Sequence, residues 1–116
     1  MTKKCRECEE EQQHVHEFEG STRIAEIEED PHNHRFAGVS GQAIRIKGGN
    51  HVHLIETRTD FYENHFHKII KVFTDPAVWV NDRHVHFVSD TTTENDGHTH
   101  DFIFATLIEN PIGEEC

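Results

Sequence analysis

All twelve histidines of this 116-residue chain fall into His-x-His pairs: His14/His16, His32/His34, His51/His53, His65/His67, His84/His86 and His98/His100. A shuffled chain of the same composition would hold about one such pair, so the pattern is a repeat and not a compositional bias. Successive pairs begin 18, 19, 14, 19 and 14 residues apart. Alternate pairs are more regular: 33 residues separate His51 from His84, His32 from His65 and His65 from His98, while 37 separate His14 from His51. The chain therefore reads as three degenerate repeats, each carrying two pairs.

Other residues keep the same register. The first series reads HVH at 14, 51 and 84, and Thr22, Thr59 and Thr92 each follow its leading histidine by eight residues. In the second series Ser40 and Thr106 hold that offset, and Thr74 comes one residue late. AIRI (43–46) matches AVWV (77–80), each leading through a turn into the next HVH. Agreement at this level of detail predicts a folded repeat.

The residues around each pair are rich in Val, Phe, Ile and Thr and are broken by turn clusters at 48–50, 75–76, 81–82 and 95–97. These are strand and turn signals, with no room for a substantial helix. On a strand, positions i, i+2 and i+4 share a face, so both imidazoles of a pair point the same way. The next residue on that face is apolar every time: Phe18, Phe36, Ile55, Ile69, Val88 and Phe102. Glu17, Glu19, Arg35, Lys68 and Asp101 fall on the other face. The histidines are thus expected inside, where unpartnered imidazoles are costly to desolvate. A metal ion satisfies them and explains why the residue is histidine.

The sequence predicts an all-β domain of about six to nine short strands, a small barrel or prism-like repeat with internal pseudo-threefold character and a histidine-lined axis. Three strands that each offer a pair supply six nitrogens, enough for an octahedral site. Grouping by series gives one site from His14, His16, His51, His53, His84 and His86, and another from His32, His34, His65, His67, His98 and His100. Four three-histidine or three four-histidine sites use the same residues equally well, and the spacing does not choose among them. Six imidazoles favour Fe, Ni or Co over tetrahedral Zn, whereas a three-histidine site with an open position would suit a hydrolase or oxygenase. A metal buffer or sensor is a further reading. A cupin-type site uses one pair with a more distant carboxylate than Glu19 or Glu56 and leaves most histidines unexplained.

Cys5 and Cys8 form a Cys-x-x-Cys in a charged segment read as a mobile acidic tail (1–12), and Cys116 ends a short C-terminal tail (114–116). These thiols are accessory candidates for metal or redox roles, outside a single domain expected over 13–113. Trp79, Phe61 and Tyr62 read as ordinary core or interface aromatics. Eleven basic residues against 22 acidic ones give a net charge of −11, which argues against binding a nucleic-acid backbone or an anionic membrane surface. No apolar stretch is long enough to span a bilayer, and the start of the chain lacks the apolar core of a secretory signal. A soluble cytoplasmic protein is the expectation. Its partners are metal ions, and a homo-oligomer that builds the threefold between protomers is the alternative to closure within one chain.

The stretches HVHEFEGSTRIAE (14–26), HNHRFAGVSG (32–41), TDFYENHFH (59–67) and NDGHTHDFIFATLIENPIG (95–113) resemble the YmaF family of small bacterial proteins. The likeness spans about residues 14–113 and not the Cys-x-x-Cys segment. It implies an identity and no particular activity, substrate or cofactor.

Overall fold

The expected alternation of inward and outward residues produces strands throughout. In a computed structural model, which describes residues 14–25 and 30–109, those residues are all-β and form ten strands. Three hairpins carry the histidine repeats. β1 (Glu17–Ser21) pairs with β2 (Arg35–Val39), β5 (Leu54–Arg58) with β6 (Lys68–Phe73), and β9 (Phe87–Thr91) with β10 (Asp101–Ala105), all antiparallel. The connectors hold two smaller hairpins, β3 (Ile44–Arg45) with β4 (His51–Val52) and β7 (Val78–Val80) with β8 (Arg83–Val85). These bring the strands to one more than the expected upper number. The only helical turn among the described residues is a 3-10 turn at Lys47–Gly49, and no helix there is long and apolar enough to cross a membrane.

No closed barrel forms among the described residues, because hydrogen-bonded pairing within each sheet stops at two strands. Isolated β-bridges, Thr22 with Phe102 and Phe36 with Thr59, and a few further backbone bonds link the hairpins instead. At one end Gly41 N–H donates to Leu54 O, Asp75 N–H to Phe87 O and Leu107 N–H to Glu17 O. At the other, Asp60 N–H donates to Arg35 O, Thr93 N–H to Lys68 O and Arg23 N–H to Asp101 O. Each hairpin is thereby tied to both of the others.

Turn chemistry fixes two hairpin tips. Tyr62 bridges His65 across Glu63 and Asn64, and Asn95 bridges His98 across Asp96 and Gly97; all four central residues have positive φ, as a type I′ turn requires. The late Thr74 is absorbed by a bulge in β6, where Lys71 takes φ 58° and the pairing with β5 shifts register between Ile55 and Thr57.

The interior is thin in carbon. Phe18, Phe36, Ile55, Ile69, Val88 and Phe102, all assigned inward from the sequence, are buried, together with Val72 and Phe104. Ten histidines and six hydroxyl residues are buried beside them. Glu17, Glu19, Arg35, Lys68 and Asp101 are exposed. Two glycines of the first hairpin have a packing role: a Cβ on Gly20 would stand 2.8 Å from the ring of Phe36, and one on Gly38 would stand 2.8 Å from the ring of Phe18. Gly38 lies within β2, where Phe18 needs the space opposite it. Trp79 and Phe61 are not core residues, at 57% and 61% exposed, and Tyr62 is partly exposed.

Candidate metal centres

Antiparallel pairing decides how the histidines group. First-series pairs precede β1, β5 and β9, and second-series pairs precede the strands that run back, β2, β6 and β10. The two series therefore gather at opposite ends of the hairpins. In the first cluster, ligand atoms of His14, His16, His51, His53, His84 and His86 all lie within 4.8 Å of one another. The second is wider: His32, His34, His65 and His98 meet that distance, as do His34, His67, His98 and His100.

The buried hydroxyls set the backbone of the second histidine in every pair. The N–H groups of His16, His34, His53, His67, His86 and His100 donate to the Oγ atoms of Ser40, Thr22, Thr74, Thr59, Thr106 and Thr92, at 2.9–3.0 Å. Each hydroxyl residue returns its own N–H to that histidine's carbonyl. The carbonyl immediately after it then accepts an imidazole Nδ1–H from a different hairpin. His16, His53 and His86 donate to Leu107, Gly41 and Asp75, while His34, His67 and His100 donate to Asp60, Thr93 and Arg23, at 2.8–2.9 Å. The sequence showed these Ser and Thr positions as register marks; their function was legible only as a fixed offset, because backbone carbonyls carry no residue signature.

A carbonyl can only accept, so each of these six rings carries its proton on Nδ1 and presents a bare Nε2 lone pair. His32 and His98 are fixed in the same way by the carbonyls of Asp30 and Asp96. The Nε2 atoms nevertheless face each other. His98 lies 3.2 Å from His32, 3.1 Å from His100 and 3.3 Å from His67, all measured Nε2 to Nε2. In the first cluster His84 Nε2 is 3.0 Å from those of His14 and His16 and 3.1 Å from that of His51. The buried Nε2 of His53 has no hydrogen-bond partner among the described residues. Where both rings are anchored through Nδ1, as His98 is with His32, His67 and His100, the lone pairs turned on one another at this range repel unless a cation stands between them.

The ring arrangement is octahedral. In the first cluster every imidazole packs edge-on against four of the other five, with centroids 4.5–5.1 Å apart. The pairs left over are His14/His86, His16/His51 and His53/His84, the three opposite corners. The second cluster repeats this, with His32/His67, His34/His98 and His65/His100 opposite. Six nitrogens about 2.2 Å from one ion would stand about 3.1 Å from their neighbours and about 4.4 Å from their opposites, close to the spacing found.

Burial disfavours the imidazolium form at both ends. It pushes His84 down to about 2, His14 to about 3, and His51 and His100 to about 4, with neighbouring imidazoles adding to the effect. His16, His34, His53, His67 and His86 are lowered for the same reason, against the opposing pull of the carbonyls they donate to. Carboxylates stand outside the rings: Glu109 is 3.3 Å from His84 Nδ1, Asp60 is 3.3 Å from His34 Nδ1 and Asp96 is 3.6 Å from His65 Nδ1. Neutral imidazoles with bare Nε2 atoms are the state that binds a metal.

The structure thus brings all twelve histidines together as two sets of six, the grouping by series. Cys5, Cys8 and Cys116 lie outside the described residues. The sequence model of the family described as "YmaF: Spore germination protein GerY/YamF" matches residues 11–108. No curated protein and no solved structure matches the chain.

Proposed function

Starting from a chain that belongs to the YmaF family, we propose that it is a transition-metal-binding protein, with one ion at each end of three hairpins that form the walls of a three-sided prism. The observation that carries this reading is the convergence of Nε2 atoms whose Nδ1 atoms are already committed to carbonyls. Hydrogen bonding alone leaves those lone pairs opposed, and an ion resolves all of them together. Six neutral nitrogens suit Fe(II), Co(II) or Ni(II) better than tetrahedral zinc.

Each ion would touch all three hairpins, so it would cross-link segments otherwise joined by isolated bridges, a few backbone bonds and a small apolar core. The metal's role is then structural or storage, because a filled octahedron keeps no position for a substrate. An open three-histidine hydrolase or oxygenase site gains no support from this arrangement. The groove lined by Glu19, Arg35, Arg58 and Asp60 contains no histidine. The family's description supplies a biological setting, spore germination, in which a metal-clasped domain would serve.

The test is elemental analysis of untagged protein purified without chelator or metal resin. About two equivalents of one metal per chain are expected, one for each six-nitrogen set. Three or four equivalents would replace this grouping with smaller, open sites. A well-folded protein without metal, unable to take up Fe(II), Co(II), Ni(II) or Zn(II), would overturn the reading.

A further inference from the structure

Each centre bears one aromatic side chain that the threefold repeat does not require. The chain has a single tryptophan and a single tyrosine. Trp79 of β7 lies across from His84 of β8, with ring centroids 4.4 Å apart. Tyr62 lies flat on His32, with centroids 4.3 Å apart and planes 4° from parallel. The matching positions carry no aromatic: Arg45 pairs with His51, and Asn95 bridges His98 as Tyr62 bridges His65. Both rings touch a candidate ligand on one side and solvent on the other. Trp79 is flanked by Val78 and Val80, which are exposed as well, and the Tyr62 hydroxyl donates to Asp30 Oδ1 at 2.9 Å.

We propose that the two histidine centres are outer-sphere electron-transfer sites, with Trp79 the electron port of the first and Tyr62 the port of the second. The proposal rests on the metal reading above and adds a function to it. A saturated ion binds neither substrate nor dioxygen, but it can still exchange an electron through its ligands. Such exchange is fast when the ligands do not rearrange. Here eight imidazoles are anchored through Nδ1 to backbone carbonyls, and six of them are also held at the backbone by a buried hydroxyl. Neutral nitrogen donors favour the lower oxidation state more than thiolates do, which places the couple at a raised potential.

In the step itself, a divalent ion held in a centre would give up one electron and become trivalent, and the electron would cross the imidazole and the aromatic ring packed on it to a one-electron oxidant. No bond forms or breaks, and each carbonyl-anchored Nδ1 keeps its proton. The aromatic ring ends as it began. The exposed tip Val78–Val80 offers an apolar landing for an acceptor at the first port.

The experiment loads the full-length protein with Fe(II) without oxygen, confirms its iron content, and mixes it with hexacyanoferrate(III) while following loss of the oxidant's absorbance. Two phases are expected, one for each centre, each consuming one electron per chain. Trp79→Leu should slow one phase severalfold and Tyr62→Leu the other, at unchanged iron content and Tm. Tyr62→Phe keeps the stacked ring and should keep its phase, which separates conduction from a hydroxyl effect. Bound iron that does not reduce the oxidant, or phases unmoved by both leucine variants, would overturn the proposal and leave the metal reading intact. A chain that takes up zinc but no redox metal would do the same. Failure of every metal to bind would show at the elemental analysis, before any mixing, and would remove both.

Discussion

Each buried hydroxyl of the repeat accepts a hydrogen bond from a histidine N–H that points away from solvent, so its removal leaves a donor stranded. Thr59→Val keeps the shape and the branched Cβ of the strand but deletes the acceptor for His67 N–H. A loss of about 1–3 kcal/mol in unfolding free energy follows from an unsatisfied buried donor. Thr91→Val, on the exposed face of β9, should stay within about 0.5 kcal/mol. Urea denaturation of both variants checks the difference, and equal values would show that the hydroxyl sets no backbone. Single ligands make a separate test. His53→Ala should lower the metal content by one equivalent and leave the far centre filled, and His67→Ala should do the converse. If either variant lost both ions or neither, the division into two sets of six would be wrong.

At the level of hairpins, the repeats are alike in their ends and different in their middles. The first hairpin fits two phenylalanine rings by placing Gly38 opposite Phe18 and Gly20 opposite Phe36. Gly38→Val forces a branched side chain against a ring edge and should cost about 1–3 kcal/mol. Phe18→Leu in the same chain should recover part of that loss, which a double-mutant cycle in urea would measure; additive losses would mean the ring and the glycine are not in conflict. In the second hairpin, Lys71→Gly should stabilise by about 0.4–1 kcal/mol, because a bulge residue at φ 58° strains any side chain. The inward face of the six strands that follow the histidine pairs was legible in the sequence, since Phe18, Phe36, Ile55, Ile69, Val88 and Phe102 follow their pairs with a period of two. The pairing of β1 with β2 was not. It depends on which strands lie side by side, so the same twelve residues fitted two, three or four sites. The late Thr74 marked a bulge that only its antiparallel partner could reveal. Trp79 and Tyr62 were unreadable as ligand neighbours because their positions depend on the small hairpin β7–β8 and on the Tyr62–His65 turn.

For the whole molecule, proton uptake and metal loss act in the same direction, and the sign follows from the histidines. Their ordinary value is 6.5, and folding lowers it, to about 4 for His51 and His100, to about 3 for His14 and to about 2 for His84. Between 6.5 and those values the unfolded chain binds protons that the folded chain refuses. Stability is therefore fully present above pH 6.5 and falls as the pH drops toward 4 and below. A bound ion stabilises the fold further, because it binds neutral imidazoles gathered at one point and those groups are dispersed when the chain unfolds. Acid removes this contribution too, by competing for each Nε2. The thermal midpoint of the metal-loaded protein should thus be higher than that of the chelated protein at pH 7.5, and the gap should close as the pH falls through 6 to 4. Scanning calorimetry at fixed metal and protein concentrations measures both curves. Curves that coincide at every pH would mean that no ion clasps the hairpins. A constant gap down to pH 4 would mean that the ion is held by groups other than these histidines.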